Sequence, residues 1–326
     1  MTTTEELKTK LQSIVELQTV GIEVFFIMNE SDSRIVKKAN LLNTATDDLK
    51  QAYLNTIKQL STMMEEGIDS ITLINLSSAD DRKSAIYRYD LDEKPQFLEA
   101  FNEIAAHQKD DYFGSGNGHR FDFTIDNLSQ IDAFVVFIGN EDSSLMIYRK
   151  NYSVNLFKRD KIFLIKESDT RFDTMKDDFI RLDAKIDFLY DNGEVFIYNL
   201  DVLERFNDFH QIITKEAATS LNEIGTLDLV SNLDVLSSRI KDVRFARKLA
   251  KIPKDSPVFK IHHTNIIEFT KKHPFLKDKF KYTADGKQIE LDTKRSQDNF
   301  VKLLNDDFLH SELTKVDYES PAKNRL

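Results

Sequence analysis

Phe188-Leu-Tyr-Asp-Asn-Gly-Glu-Val-Phe-Ile-Tyr198 reads as a β-hairpin from its residues alone. Two aromatic and β-branched runs flank Asn192-Gly193. That pair supplies the positive φ angles that a two-residue turn matched to strand twist requires. Upstream, 133–138 and 145–148 flank Gly139-Asn140-Glu141-Asp142 as a second hairpin, and 161–166 is a further strand. Downstream, Asp201 with Glu204 forms a capping-box pattern that opens a helix, with Val202, Phe206, Phe209 and Ile213 on its buried face.

Toward the N-terminus the pattern mixes helix and strand. A helix is expected over 4–18 and a buried strand over 22–28. Thr46 reads as an N-cap, with Asp47 and Asp48 in the first turn complementing the helix dipole. Leu49, Tyr53, Ile57, Leu60 and Met64 then form one apolar stripe of a helix ending at Gly67. Strands at 70–76 and 85–89 and a helix over 96–107 complete a helix laid on a sheet. The expected fold is α+β (mixed α/β). An acidic helix-on-sheet domain spans 1–140, for contact with a partner or a second copy. A C-terminal domain spans 141–326, with β-hairpins followed by helices and a basic helical region at 239–281. No repeat or low-complexity linker marks the boundary, which rests on composition.

At 326 residues, 40% hydrophobic and 31% charged, the chain has the length of about two domains and an ordinary folded composition. Its 24 Phe are read as core filling. The absence of Cys excludes disulfides, thiolate metal sites, iron–sulfur clusters and cysteine nucleophiles. The N-terminus is polar, and the runs at 24–28 and 133–138 fall far short of the ~20 apolar residues of a membrane helix. The expectation is a cytosolic chain that meets a membrane only through a partner.

Charge is segregated. Residues 1–140 hold 13 Lys or Arg against 23 Asp or Glu, whereas 239–281 hold 13 against 4, inside a chain of net −10. A basic zone on an acidic body points to a polyanion. A helix is expected from Ser231 and Asp234 to a stop at Pro253. On it Lys241, Arg244, Lys248 and Lys251 share a stripe about 80° wide, opposite Leu236, Ile240, Val243, Ala246, Leu249 and Ala250. Arg247, Lys260, Lys271, Lys272, Lys277, Lys279 and Lys281 extend the basic set. A helix over 264–273, a hairpin around Ala284-Asp285-Gly286 and a final helix capped by Ser296 follow. This order is loosely similar to a winged helix. The rival reading of the stripe is a solvated helix face. Lys outnumbers Arg over 254–281, which favours phosphate contacts over bidentate base reading.

Catalytic patterns are scarce. The histidines at 107, 119, 210, 262, 263, 273 and 310 have no H-E-x-x-H spacing, and no G-x-S-x-G elbow occurs. Asp110–Arg120 (DDYFGSGNGHR) matches neither phosphate-loop pattern and reads as a surface loop. The one enzyme reading is a Mg²⁺-dependent nuclease using Asp285, Glu290, Asp292 and Lys294. Asp285-Gly286 is also explained by turn geometry alone.

The segment KIFLIKESDTRFDTMKDDFIRLDAKIDFLYDNGEVFIYNLDVLERF (161–206) and the ending KLLNDDFLHSELTKVDYESPAKNRL (302–326) resemble the KwaB family of the bacterial Kiwa anti-phage system. The resemblance covers 144–326. It implies a self-associating, most simply dimeric, DNA-binding protein that works with a small multi-spanning membrane protein, KwaA. It also implies interference with phage DNA replication and late transcription. It supplies no catalytic residues and no cofactor. A nuclease and a scaffold whose basic zone meets an acidic protein remain the alternatives.

Overall fold

A computed structural model describes residues 2–320 except 31–32, 42, 66, 68–69, 78–83, 109, 115–117, 123, 159–162, 167–170, 175–176 and 207–208. The chain divides into two compact units. The first comprises 1–73, 84–88 and 96–203, and the second comprises 74–83, 89–95 and 204–326.

The first unit is built on an eight-stranded sheet. Its elements, in chain order, begin with α1 (Thr4–Glu16), β1 (Gly21–Glu30), β2 (Ser33–Lys38), α2 (Asn43–Met63), β3 (Thr72–Asn75), β4 (Ala85–Arg88) and α3 (Phe97–Ala106). They continue with β5 (Ile131–Gly139), β6 (Ser144–Lys150), β7 (Leu156–Phe157), β8 (Phe163–Lys166), β9 (Arg171–Thr174), β10 (Phe179–Ile180), β11 (Phe188–Asp191) and β12 (Glu194–Ile197). The sheet order is β2-β1-β5-β6-β11-β12-β4-β3. The pairs β7–β10 and β8–β9 stand apart as two-stranded ladders.

The expected hairpins form in register. Phe188 pairs with Ile197 and Asp191 with Glu194, while Asn192 (φ 47°) and Gly193 (φ 87°) take the left-handed turn. Strands β5 and β6 pair from Ala133–Lys150 to Gly139–Ser144. The boundary placed at 140 on charge therefore falls within this second hairpin. Strand pairing, not charge density, holds 131–150 in one unit.

Helices pack on both faces of the sheet, because alternate side chains of its inner strands are apolar on either side. Leu7, Leu11 and Ile14 of α1 and Tyr53, Ile57 and Leu60 of α2 join Val24, Phe26, Val136, Ile147 and Leu189 in one core cluster. On the other face, α3 places Phe97 4.9 Å from the Phe188 ring and Phe101 5.0 Å from the Tyr190 ring. Each buried ring of this kind contributes about 1.5–3 kcal/mol.

One buried charge pins the sheet. Asp187 is fully buried, and its carboxylate accepts from Arg149 Nη1 (3.0 Å), the Lys150 N–H (2.8 Å) and Asn199 Nδ2 (2.9 Å). Arg149 also grips Asp183 with two nitrogens, at 2.7 and 3.1 Å. Burial works against the Asp183 charge, but the Arg149 bonds outweigh it and hold that carboxyl below the usual range.

The second unit is largely helical. It contains α4 (Leu200–Arg205), which begins at the edge of the first unit, then α5 (Phe209–Gly225), a 3-10 segment (Leu233–Arg239), α6 (Val243–Ala250) and α7 (Ile252–Asp255). A second 3-10 turn (Pro257–Lys260), α8 (His263–Lys272), β13 (Lys281–Tyr282), β14 (Ile289–Glu290), α9 (Lys294–Leu304), β15 (Phe308–His310) and β16 (Asp317–Glu319) follow. The single helix expected after Asp201 is two helices, α4 and α5. Helix α5 packs on α6 and buries Phe209, Ile212, Ile213, Ala217, Leu221 and Ile224. The final helix is capped by Thr293, whose hydroxyl accepts the Ser296 N–H, rather than by Ser296 itself. Phe300, Val301, Leu303 and Leu304 face inward as expected.

Candidate nucleic-acid interface

The basic residues of the second unit lie on consecutive short elements, not on one long helix. The helix expected from Ser231 to Pro253 is interrupted because Asp242 takes an extended backbone (φ −82°, ψ 111°) and starts a new one. Its side chain accepts the N–H groups of Arg244 (3.0 Å) and Phe245 (3.3 Å), which would otherwise be orphan donors at a helix start. Pro253 sits in the first turn of α7, where its missing N–H costs nothing.

This break redistributes the stripe. Lys241 lies ahead of α6 with its side chain exposed, and its carbonyl accepts from His210 Nε2 at 3.0 Å. Arg244, Lys248 and Lys251 keep spacings of four and three, and so share a sector about 60° wide. Arg244 is exposed; Lys248 and Lys251 are half-buried. Arg247 departs from the expectation altogether. It is buried, with its Nε 3.5 Å from Glu204 Oε1 on α4, so it is removed from the accessible cations.

Further along, Lys260 is exposed at the end of its 3-10 turn. Lys271 and Lys272 occupy the last turn of α8, where positive charge complements the helix dipole. Lys271 Nζ donates to the Gly286 carbonyl at 2.8 Å and lies 4.8 Å from the Tyr282 ring centre, so it also ties α8 to the β13–β14 hairpin. Lys272 pairs with Glu268 at 3.0 Å. Lys281 pairs with Asp292 at 2.7 Å, and that bond raises the ammonium pKa. Such exposed pairs are worth at most ~1 kcal/mol and yield readily to a stronger anion. Lys241, Arg244, Lys260, Lys277 and Lys279 are exposed and carry no ion pair among the described residues.

Two of the three carboxylates of the nuclease reading, Asp285 and Asp292, are otherwise engaged. Asp285 accepts from the Thr283 hydroxyl (2.7 Å) and the Lys287 N–H (3.2 Å), which shape the turn and lower its pKa. Asp292 faces Lys281. Among the described residues, no group of three or more His, Asp or Glu is placed to hold a metal ion. The glycine-containing stretch 110–120, of which 115–117 lie outside the described residues, packs by aromatic stacking: Tyr112 lies 3.9 Å from the His107 ring and 4.0 Å from His119. No helix among the described residues is long and apolar enough to cross a membrane.

Sequence reasoning missed the Arg247–Glu204 pair and the Arg149–Asp183–Asp187 cluster. Both join side chains far apart in the chain, and periodicity carries no signal for either.

Residues 128–314, more than half of the chain, match the family model described as Kiwa protein KwaB-like. The chain is also 29% identical over 332 residues, covering 99% of each protein, to the Kiwa protein KwaB of Escherichia coli O55:H7 (strain RM12579 / EPEC). No solved structure matches it. A family match that runs from β5 through the basic helical region, with similarity to one relative from end to end, places this chain in the KwaB-like family of Kiwa proteins.

Proposed function

We propose that this chain is the DNA-binding component of a Kiwa anti-phage defence system. It grips duplex DNA without strong sequence specificity and interferes with phage DNA replication and late transcription. It acts as a homodimer in the cytoplasm and is recruited to the inner membrane by a small multi-spanning partner of the KwaA kind. The observation that carries this reading is the set of exposed cations without ion pairs, Lys241, Arg244, Lys260, Lys277 and Lys279, concentrated in one unit of an acidic chain. Four of the five are Lys, which meets phosphate as a point charge and reads bases poorly. Acidic residues elsewhere are screened beyond about 10 Å at ordinary salt.

The test is fluorescence anisotropy of the full chain with duplexes of two unrelated sequences across a salt titration, with and without Mg²⁺. Five phosphate contacts predict a log–log salt slope near −4.5, or about a 500-fold loss of affinity between about 50 and 200 mM salt. Charge reversal at Lys241 and Arg244, and separately at Lys277 and Lys279, should weaken both sequences alike and reduce the slope by about 0.9 per lost contact. Absence of binding at low salt would overturn the DNA reading and leave the scaffold. Mg²⁺-dependent cleavage would establish the nuclease instead.

A further inference from the structure

The first unit contains a cleft that the DNA reading does not use. Helix α3 covers one face of the sheet only as far as its C-terminal end. Beyond Ala105 and Gln108 that face is open, as a cavity of about 1040 Å³. Strand register builds its floor. Glu23 of β1 pairs with Phe137 of β5, Phe137 with Met146 of β6, and Met146 with Tyr190 of β11, so one cross-strand row runs over four strands. The neighbouring row is Gly21, Gly139 and Ser144, and nothing larger than a hydroxymethyl group projects from it. Gly139 is obligatory there. Its φ is +136°, and an added Cβ would lie 2.3 Å from the Ser143 carbonyl oxygen. The result is a trough about 14 Å long at the usual strand spacing, bordered by the 140–141 and 192–193 turns. That is the length of about four extended residues.

The lining chemistry selects the occupant. The half-buried Phe137 ring, with only the edges of Met146 and of the Phe101-stacked Tyr190 ring beside it, offers an apolar bed for the stem of a long cationic side chain. Glu23, Glu141 and Asp191 are the charged residues among those that line the cleft, and no Lys or Arg accompanies them. Glu23 already meets Lys38, and Asp191 meets Lys10 at 3.2 Å; Glu141, on an exposed turn, has no ion pair among the described residues. A nucleic acid would be repelled. Gln108 adds an independent feature, since its Nε2 is buried and donates to nothing among the described residues. Rotation of this half-buried side chain would bring the N–H to a backbone carbonyl in the trough, and a free polyamine has no carbonyl to offer.

We propose that this trough is a docking groove for an extended, Lys- or Arg-bearing segment of a partner protein. Mode and chemistry are those of peptide recognition: carbonyl capture by Gln108, an apolar bed, and carboxylates at the rim. Nothing in the proposal depends on DNA binding, and the two fail separately.

The test is selection of short random peptides displayed against the full chain, followed by affinity measurement on synthesised winners. Enriched peptides should carry a Lys or Arg next to an apolar residue. They should lose about tenfold in affinity toward Ser144→Trp, which fills the trough, and toward Glu141→Lys, which reverses an exposed turn charge without touching the core. DNA affinity of both variants should equal that of the parent. No enrichment, enrichment of neutral or acidic peptides, or equal affinity for parent and both variants would overturn the proposal. Spermine binding as tightly as the peptides, with the same dependence on Glu141, would also overturn it, because the groove would then be sensing charge alone.

Discussion

Arg247→Ala is the perturbation that separates a buried structural cation from a nucleic-acid contact. The Arg247 and Glu204 side chains are 6% and 10% exposed, with nitrogen and oxygen 3.5 Å apart. At an effective dielectric near 20 their attraction is about 5 kcal/mol, most of it offsetting the desolvation of both groups. Truncating one partner takes a close opposite charge away from a carboxylate that stays buried, and breaking a buried pair in this way costs about 3–5 kcal/mol. For a unit of this size that corresponds to a melting decrease of roughly 10 °C. Thermal and urea unfolding of the full chain measure it. Replacing both members with apolar residues of similar volume, Arg247→Met with Glu204→Leu, removes the stranded charge and should restore stability to within about 1 kcal/mol of the parent or above it. DNA affinity per folded molecule should be unchanged in both. A single Arg247→Ala variant that melts like the parent but binds DNA more weakly would refute the burial argument and return Arg247 to the contact surface.

Two further effects follow from other buried groups. Asp187→Ala removes the acceptor for Arg149, the Lys150 N–H and Asn199 together, and should cost 3 kcal/mol or more, roughly; a urea midpoint within error of the parent would contradict the role of Asp187 in pinning the sheet. Burial lowers the His273 pKa; Asp317 opposes that shift, while His310 adds to it. The folded state therefore binds fewer protons at this ring than the unfolded chain. Stability should fall as pH drops below the ordinary histidine value of about 6.5. His273→Asn should flatten the decline in melting temperature between about pH 7.5 and pH 5.5, and equal declines in parent and variant would show that this ring is not responsible.

Much of the local structure was legible because it is written in short-range chemistry. The Asn192-Gly193 turn, the β5–β6 hairpin, helix α8 ending before Pro274 and the inward face of α9 all follow from residues within a few positions of one another. The break at Asp242 was not legible. Apolar residues keep helical spacing from Leu236 to Ala250, and that periodicity concealed a capping aspartate in the middle. The residue list of the basic zone was readable as charge, yet accessibility was not. Arg247 has the same charge as Arg244 three positions earlier, and only packing against Glu204 turns one into a core group while the other stays in solvent.

The sequence by itself determined the α+β class, the main helices and hairpins, and the concentration of positive charge after residue 239. Each depends on side-chain spacing and turn chemistry that act along the chain. Tertiary structure alone decided which cations remain available to a polyanion, and that Glu23, Phe137, Met146 and Tyr190 form one row. Those residues span nearly 170 positions. What joins them is strand register, which backbone hydrogen bonds set between segments that carry no trace of one another in their local sequence.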